Sequence, residues 1–245
     1  MPDLTTTRGK IVDAALRLAA SEGWRGLSLD KIAQQAGVGL NDFRREFSSK
    51  AEILAAYTRM VDEAVLAKAS PADAELAHRD RLFDVLMTRF ELMQPYKAGL
   101  KRIRDDLRFH PAEGLAQLGV AARSLYWMLA AAGVDAEGSR GALRIPGLMA
   151  LYGRVFEIWL EDDDPGLART MAALDGRLRR GERALRRIDD FGAAAKRFCA
   201  GLMPSRREAR ESDAEPKGDA MEPASPAPAP GQSNGSAGPG PAPAV

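Results

Sequence analysis

The chain has 245 residues, 45% of them hydrophobic and 28% charged, with a formal net charge of +1. That balance belongs to a globular protein with a sizeable core. A charge so near zero excludes global attraction to a polyanion, so any affinity for nucleic acid has to come from a local patch. The single cysteine, Cys199, excludes an intramolecular disulfide, and with only His78 and His110 beside it a Cys/His zinc site is not constructible.

The first helix is expected over Thr5 to Glu22, with Ile11, Ala15, Leu18 and Ala19 as its apolar stripe and Gly23 as its stop. The arm before it, Asp3 to Lys10, reads either as a frayed terminus or as a backbone contact through Arg8 and Lys10. Leu29 to Lys50, LDKIAQQAGVGLNDFRREFSSK, then reads as two short helices joined by a tight turn. Ser28 is placed to cap the first of them, Asp30 to sit on its dipole, and Gly37 to end it in a left-handed conformation, with Val38 plugging the corner. In the second helix Leu40, Phe43 and Phe47 fall at i, i+3 and i+7 on one buried face and leave Asn41, Asp42, Arg44 and Arg45 outward. This is a helix-turn-helix layout, with the second helix offered to a major groove. Residues 1 to 50 carry eight basic against six acidic side chains, a net of +2, so the basic patch is mild.

Together with the preceding helix, the run IAQQAGVGLNDFRREFSSKAEIL resembles the N-terminal domain of the TetR family of bacterial transcriptional regulators over its whole length. The resemblance implies an all-α, two-domain homodimer. An N-terminal three-helix helix-turn-helix domain binds a palindromic double-stranded DNA operator, and a C-terminal helical bundle of the TetR type takes a small effector that releases the repressor. It places Ser28, Leu40, Asn41, Asp42, Arg44, Arg45 and Lys50 near DNA, with Lys50 on a phosphate. The chain departs from the pattern at Gly39, where the family usually has a capping Ser, and at Arg44 and Glu46, where it usually has Tyr and an aromatic residue or His. Arg44 suits a phosphate. Asp42 and Glu46 repel phosphates unless one of them accepts from a cytosine amino group.

Ser49 and Glu52 form a capping box for a longer connecting helix, with Ile53, Leu54, Tyr57, Val61, Ala64 and Val65 on its buried side. Ser70, Pro71 and the polar residues to Asp80 mark a boundary. Leu82, Phe83, Leu86, Phe90 and Met93 define a helix that stops before Pro95. Leu100, Ile103 and Leu107 define another, ending near His110 and Pro111, and Leu115, Leu118, Ala122, Leu125 and Leu129 a third, closed by Gly133. Gly138 to Leu160 is apolar on more than one side, which predicts deep burial, and Pro146 is expected to start or kink a helix within it. Leu167, Met171, Leu174, Leu178, Leu185 and Ile188 keep a nearly seven-residue repeat suited to a helix-helix seam. In TetR-like proteins the last two helices pair across a two-fold axis, which the resemblance transfers to parts of Met149 to Leu160 and Leu167 to Leu185, with packing inside one subunit as the alternative.

The segments RSLYWML, ALRIPGLMALYGRVFEIWLEDDDPG and TMAALDGRL are also similar to the TetR-like lipid-binding proteins of coenzyme Q biosynthesis. That likeness supplies the rival expectation, an isoprenoid or acyl lipid-binding module without DNA function. Tyr126, Trp127, Met128, Met149, Tyr152, Phe156, Trp159 and Met171 read as ordinary core or as the wall of a pocket for a small apolar effector. The acid cluster Glu161 to Asp164 reads as a solvated loop feeding a helix N-terminus rather than a metal site, and the arginine-rich run Arg177 to Arg187 as a solvated dimer-helix face or a membrane-surface helix.

The expected domains are therefore 1–50, helix-turn-helix; 51–70, connecting helix; 71–203, ligand binding and dimerisation; and 204–245, a tail too poor in apolar residues to fold. No nucleophile, base and orienting group assemble from these residues, and there is no phosphate loop, so neither catalysis nor a cofactor nor a metal is expected. The N-terminus lacks the apolar core of a signal peptide, and the longest uncharged apolar run, Ser124 to Val134, falls well short of a membrane span, so a cytoplasmic location is expected.

Overall fold

The computed structural model describes residues 1–69, 75–109 and 111–184, all within one compact unit, Met1–Ala193. The boundary residues Ser70 and Pro71, His110, the seam residues Leu185 and Ile188, Cys199 and the tail 204–245 lie outside the described residues. All regular structure among the described residues is helical. The helices are α1 (Thr7–Glu22), α2 (Leu29–Ala36), α3 (Leu40–Glu46), α4 (Lys50–Leu66), α5 (His78–Met93), α6 (Lys97–Arg108), α7 (Pro111–Ala131), α8 (Gly138–Leu160) and α9 (168–184). None is long and apolar enough to cross a membrane.

The N-terminal three helices close around Ile11, Ala15, Trp24, Ile32, Phe43 and Phe47, all at most 2% exposed. α1 begins two residues later than the pattern suggests, because Thr6 takes the cap position and its hydroxyl accepts from Gly9 N–H at 3.0 Å. The arm ahead of it is folded rather than frayed. Thr5 N–H donates to Asp3 Oδ1 at 2.9 Å, and the terminal ammonium donates to Met60 O at 3.1 Å. α2 ends as expected at Gly37, with φ 65°. Gly37 N–H donates to Gln34 O at 3.1 Å and Val38 N–H to Ala33 O at 3.0 Å, the paired bonds that satisfy the last carbonyls of a helix.

α4 and α7 pack along one another, α5 lies against both, and α6 crosses α1. That crossing is close: a Cβ on Gly99 would overlap the carbonyl oxygen of Leu16. α5 stops at the turn Gln94–Tyr96, which contains Pro95, and α8 runs through Pro146 without a break. Two sequence expectations are corrected here. Among the described residues of α8, burial holds for Gly141, Leu148, Val155, Trp159 and Leu160, whereas Ala142, Leu143, Pro146, Gly147, Ala150 and Gly153 are exposed along one side. In α7, Leu125 and Leu129 are buried but Leu115 and Leu118 are exposed, since the inward face of its first half is formed by Gly114, Gln117 and Val120. The repeat residues Leu167, Leu174 and Leu178 are buried within the chain itself.

The acid cluster is not wholly solvated either. Asp162 is fully buried and accepts from Thr170 N–H at 2.8 Å and Thr170 Oγ1 at 2.7 Å, anchoring the first turn of α9. Burial pushes this carboxyl up, but the Thr170 and Asp164 hydrogen bonds outweigh it and hold Asp162 below its usual value.

Candidate nucleic-acid interface

α3 is seven residues long, and its packing sets which side chains reach solvent. Phe43 and Phe47 are buried with their rings edge-on at 6.3 Å, which fixes the helix against α1. Leu40, expected on the same buried face, is instead 60% exposed, because it opens the helix at the solvent side of the corner. It therefore joins Asn41, Asp42, Arg44 and Arg45 on one exposed surface.

The two carboxylates that threatened this surface are each tied to an arginine of the same domain. Asp42 pairs with Arg45 at 3.2 Å across one turn, and Glu46 pairs with Arg8 of α1 at 3.3 Å. The Arg8 guanidinium also lies 4.9 Å over the Phe47 ring. Such pairs reduce the local field that would repel a phosphate. Arg44 is exposed and forms no ion pair among the described residues, which leaves its charge for an external anion.

The remaining DNA-side expectations fare differently. Ser28 occupies the cap position of α2, yet its hydroxyl makes no capping bond; it bonds Asp30 and holds that carboxyl below its usual value. Ser49 caps α4 by accepting from Glu52 N–H at 3.2 Å, but the reciprocal arm of the expected box goes to Ser48, whose N–H and Oγ donate to Glu52 at 2.7 and 2.8 Å. Lys50 is turned inward. Its ammonium donates to Trp24 O at 2.8 Å and Arg25 O at 3.3 Å and lies 5.4 Å from the Trp24 ring centroid.

The same corner is held from the other side by a residue the sequence did not single out. Asp106 of α6 accepts from Trp24 N–H at 2.7 Å and Arg25 N–H at 2.8 Å through Oδ2. The peptide segment between α1 and α2 is thus gripped by α4 at its carbonyls and by α6 at its amides.

The residues expected to bind an effector do not all meet. Tyr152, Phe156 and Trp159 of α8 stack with Phe90 of α5, with ring centroids 5.3 to 6.1 Å apart, and Trp159 Nε1 donates to Gln94 at 3.0 Å. Met149 packs against the same core. Tyr126 and Trp127 meet edge-on at 5.5 Å on α7, apart from that stack. Of the set, only Trp127 lines a cleft of about 570 Å³ between α4 and α7. Its floor is polar: Asp62 Oδ1 is bonded to Arg89 Nη1 and accepts from Ser124 Oγ at 2.7 Å, while Arg89 Nε donates to Tyr152 Oη at 3.0 Å. Asp62, Arg89 and Ser124 are all buried. The available signal was Arg89 itself, a charge set within the apolar stripe of Leu86, Phe90 and Met93.

Residues 11–57 match the family described as bacterial regulatory proteins, tetR family. That segment is a TetR-type DNA-binding domain. Over 162 residues, 64% of this chain and 74% of the other, the chain is 26% identical to the HTH-type transcriptional activator FasR of Mycolicibacterium smegmatis. In fold it is similar to a TetR transcriptional regulator from Nitrosomonas europaea, with a TM-score of 0.60 and 23% identity, covering 72% of this chain and 98% of that one. The matched segment spans most of α1, all of α2 and α3 and the first half of α4, and so includes the exposed surface of α3.

Proposed function

We propose that this regulator binds a palindromic operator as a cytoplasmic homodimer, acts as a repressor, and is released by a small-molecule effector. The observation that carries the reading is the exposed surface of α3, on which Asp42 and Glu46 are paired internally while Arg44 is not. Leu40, Asn41 and Arg45 face base edges, and Arg44 faces a phosphate. Ser28 and Lys50 act from behind, on Asp30 and on the α1–α2 corner. The dimer is proposed to form through the exposed side of α8, where Leu143, Pro146, Gly147, Ala150 and Gly153 repeat at three- and four-residue intervals. Similarity to a protein named an activator supports the opposite sign of regulation, which the operator's position relative to its promoter decides.

Selection of random duplex DNA on the purified protein at two salt concentrations tests this. The expected outcome is a palindrome with half-sites about one helical turn apart. Arg44→Ala should weaken binding to every sequence and lower the salt slope by about one, whereas Asn41→Ala should change the preferred bases. If no sequence is enriched at either salt concentration, the operator reading fails and a lipid-binding module without DNA function takes its place.

A further inference from the structure

The cleft between α4 and α7 differs in chemistry from the aromatic stack, and its charges are specific. Ser124 Oγ bonds Asp62, and Gln117 Nε2 donates to Ala51 O at 3.4 Å, so α7 runs in the same sense as α4. This register puts Arg123 beside Asp62 and Glu63, and Arg59 one turn earlier. Leu66 and Trp127 follow one turn later at one end of the cleft. The Asp62 carboxylate is matched by the buried Arg89 behind it. Arg59 and Arg123 form no ion pair among the described residues, and Glu63 is the carboxylate left to oppose them.

We propose that this cleft binds an amphiphilic anion, its acidic head between Arg59 and Arg123 and its apolar chain along Leu66, Val120 and the half-exposed Trp127 indole. A guanidinium pair fixes a carboxylate or phosphate by charge-assisted hydrogen bonds, and the indole supplies a flat apolar wall. The volume falls in the range of about 300–1,000 Å³ typical of small-molecule sites. The ligand is thus charged at one end, rather than the purely apolar effector that the aromatic residues suggested. Its regulatory consequence rests on the effector-released reading above; its binding rests on the cleft alone.

The test is calorimetric titration of the full-length protein with dodecanoate, dodecanol and dodecylamine, each below its micellar concentration and at pH 8. The expected order is dodecanoate tightest and dodecylamine weakest, with Arg59→Gln/Arg123→Gln weakening dodecanoate at least about tenfold while leaving dodecanol within a factor of about two. Glu63→Gln should tighten dodecanoate. Binding of dodecylamine as tight as dodecanoate, or dodecanoate affinity unchanged in the double variant, would overturn the proposal. A circular-dichroism spectrum and melting profile like wild type show that the variants are folded. Operator binding is measured in parallel: dodecanoate bound with no change in operator affinity sinks effector release and leaves the site standing, whereas no dodecanoate binding by a protein that still holds its operator sinks the site alone.

Discussion

Lys50 holds its ammonium on two backbone carbonyls and against an indole, so replacing it removes a support of the α1–α2 corner before it removes a charge from the DNA side. Lys50→Met should lower the unfolding free energy by about 1–3 kcal/mol. It should change the salt slope of operator binding by less than Arg44→Ala does; urea unfolding and binding at several salt concentrations read both. A slope reduced by a full unit with no loss of stability would put Lys50 on phosphate instead. Arg89 poses the buried counterpart. Arg89→Met strands the Asp62 carboxylate in the interior and should cost about 3–5 kcal/mol, and adding Asp62→Leu should recover much of it, because an apolar pair needs no charge compensation. Unfolding of the single and double variants in urea measures the recovery.

At the scale of elements, the α1–α6 crossing depends on Gly99. Gly99→Ala drives a methyl into the Leu16 carbonyl, and the helices must separate, at a cost of about 1–3 kcal/mol visible as a lower melting temperature. Nothing in the order of residues announces that approach. The helix-turn-helix was legible because its signals are local: Gly37 at a left-handed exit, Ser49 at a cap, and Phe43 and Phe47 one turn apart. What periodicity misplaced was decided by neighbours. Leu40 has the right spacing but no helix over it, Leu115 and Leu118 sit just off the inward face of α7, and Leu167, Leu174 and Leu178 found their partners within the chain. The candidate site was legible on the DNA side as a set of exposed residues, while the pairing of Asp42 with Arg45 and of Glu46 with Arg8 required the fold. On the effector side it was less so, since aromatic content pointed to a stack that fills the core and the cleft is marked by arginines from two helices.

For the whole molecule, a two-fold dimer through α8 predicts that Leu143→Glu combined with Ala150→Glu yields a monomer in sedimentation velocity and loses affinity for a full palindrome much more than for a half-site. A dimer that persists in that variant would move the interface elsewhere. The clasp at Trp24 and Arg25 bears on modularity. With Asp106 holding the amides and Lys50 the carbonyls, the reading head is not a cassette ending where its last recognition residue ends. A chimera that grafts residues 1–50 onto the body of another regulator would carry the lysine and leave the aspartate behind, so faithful transplantation would require the receiving sixth helix to be rewritten at the position of Asp106 as well.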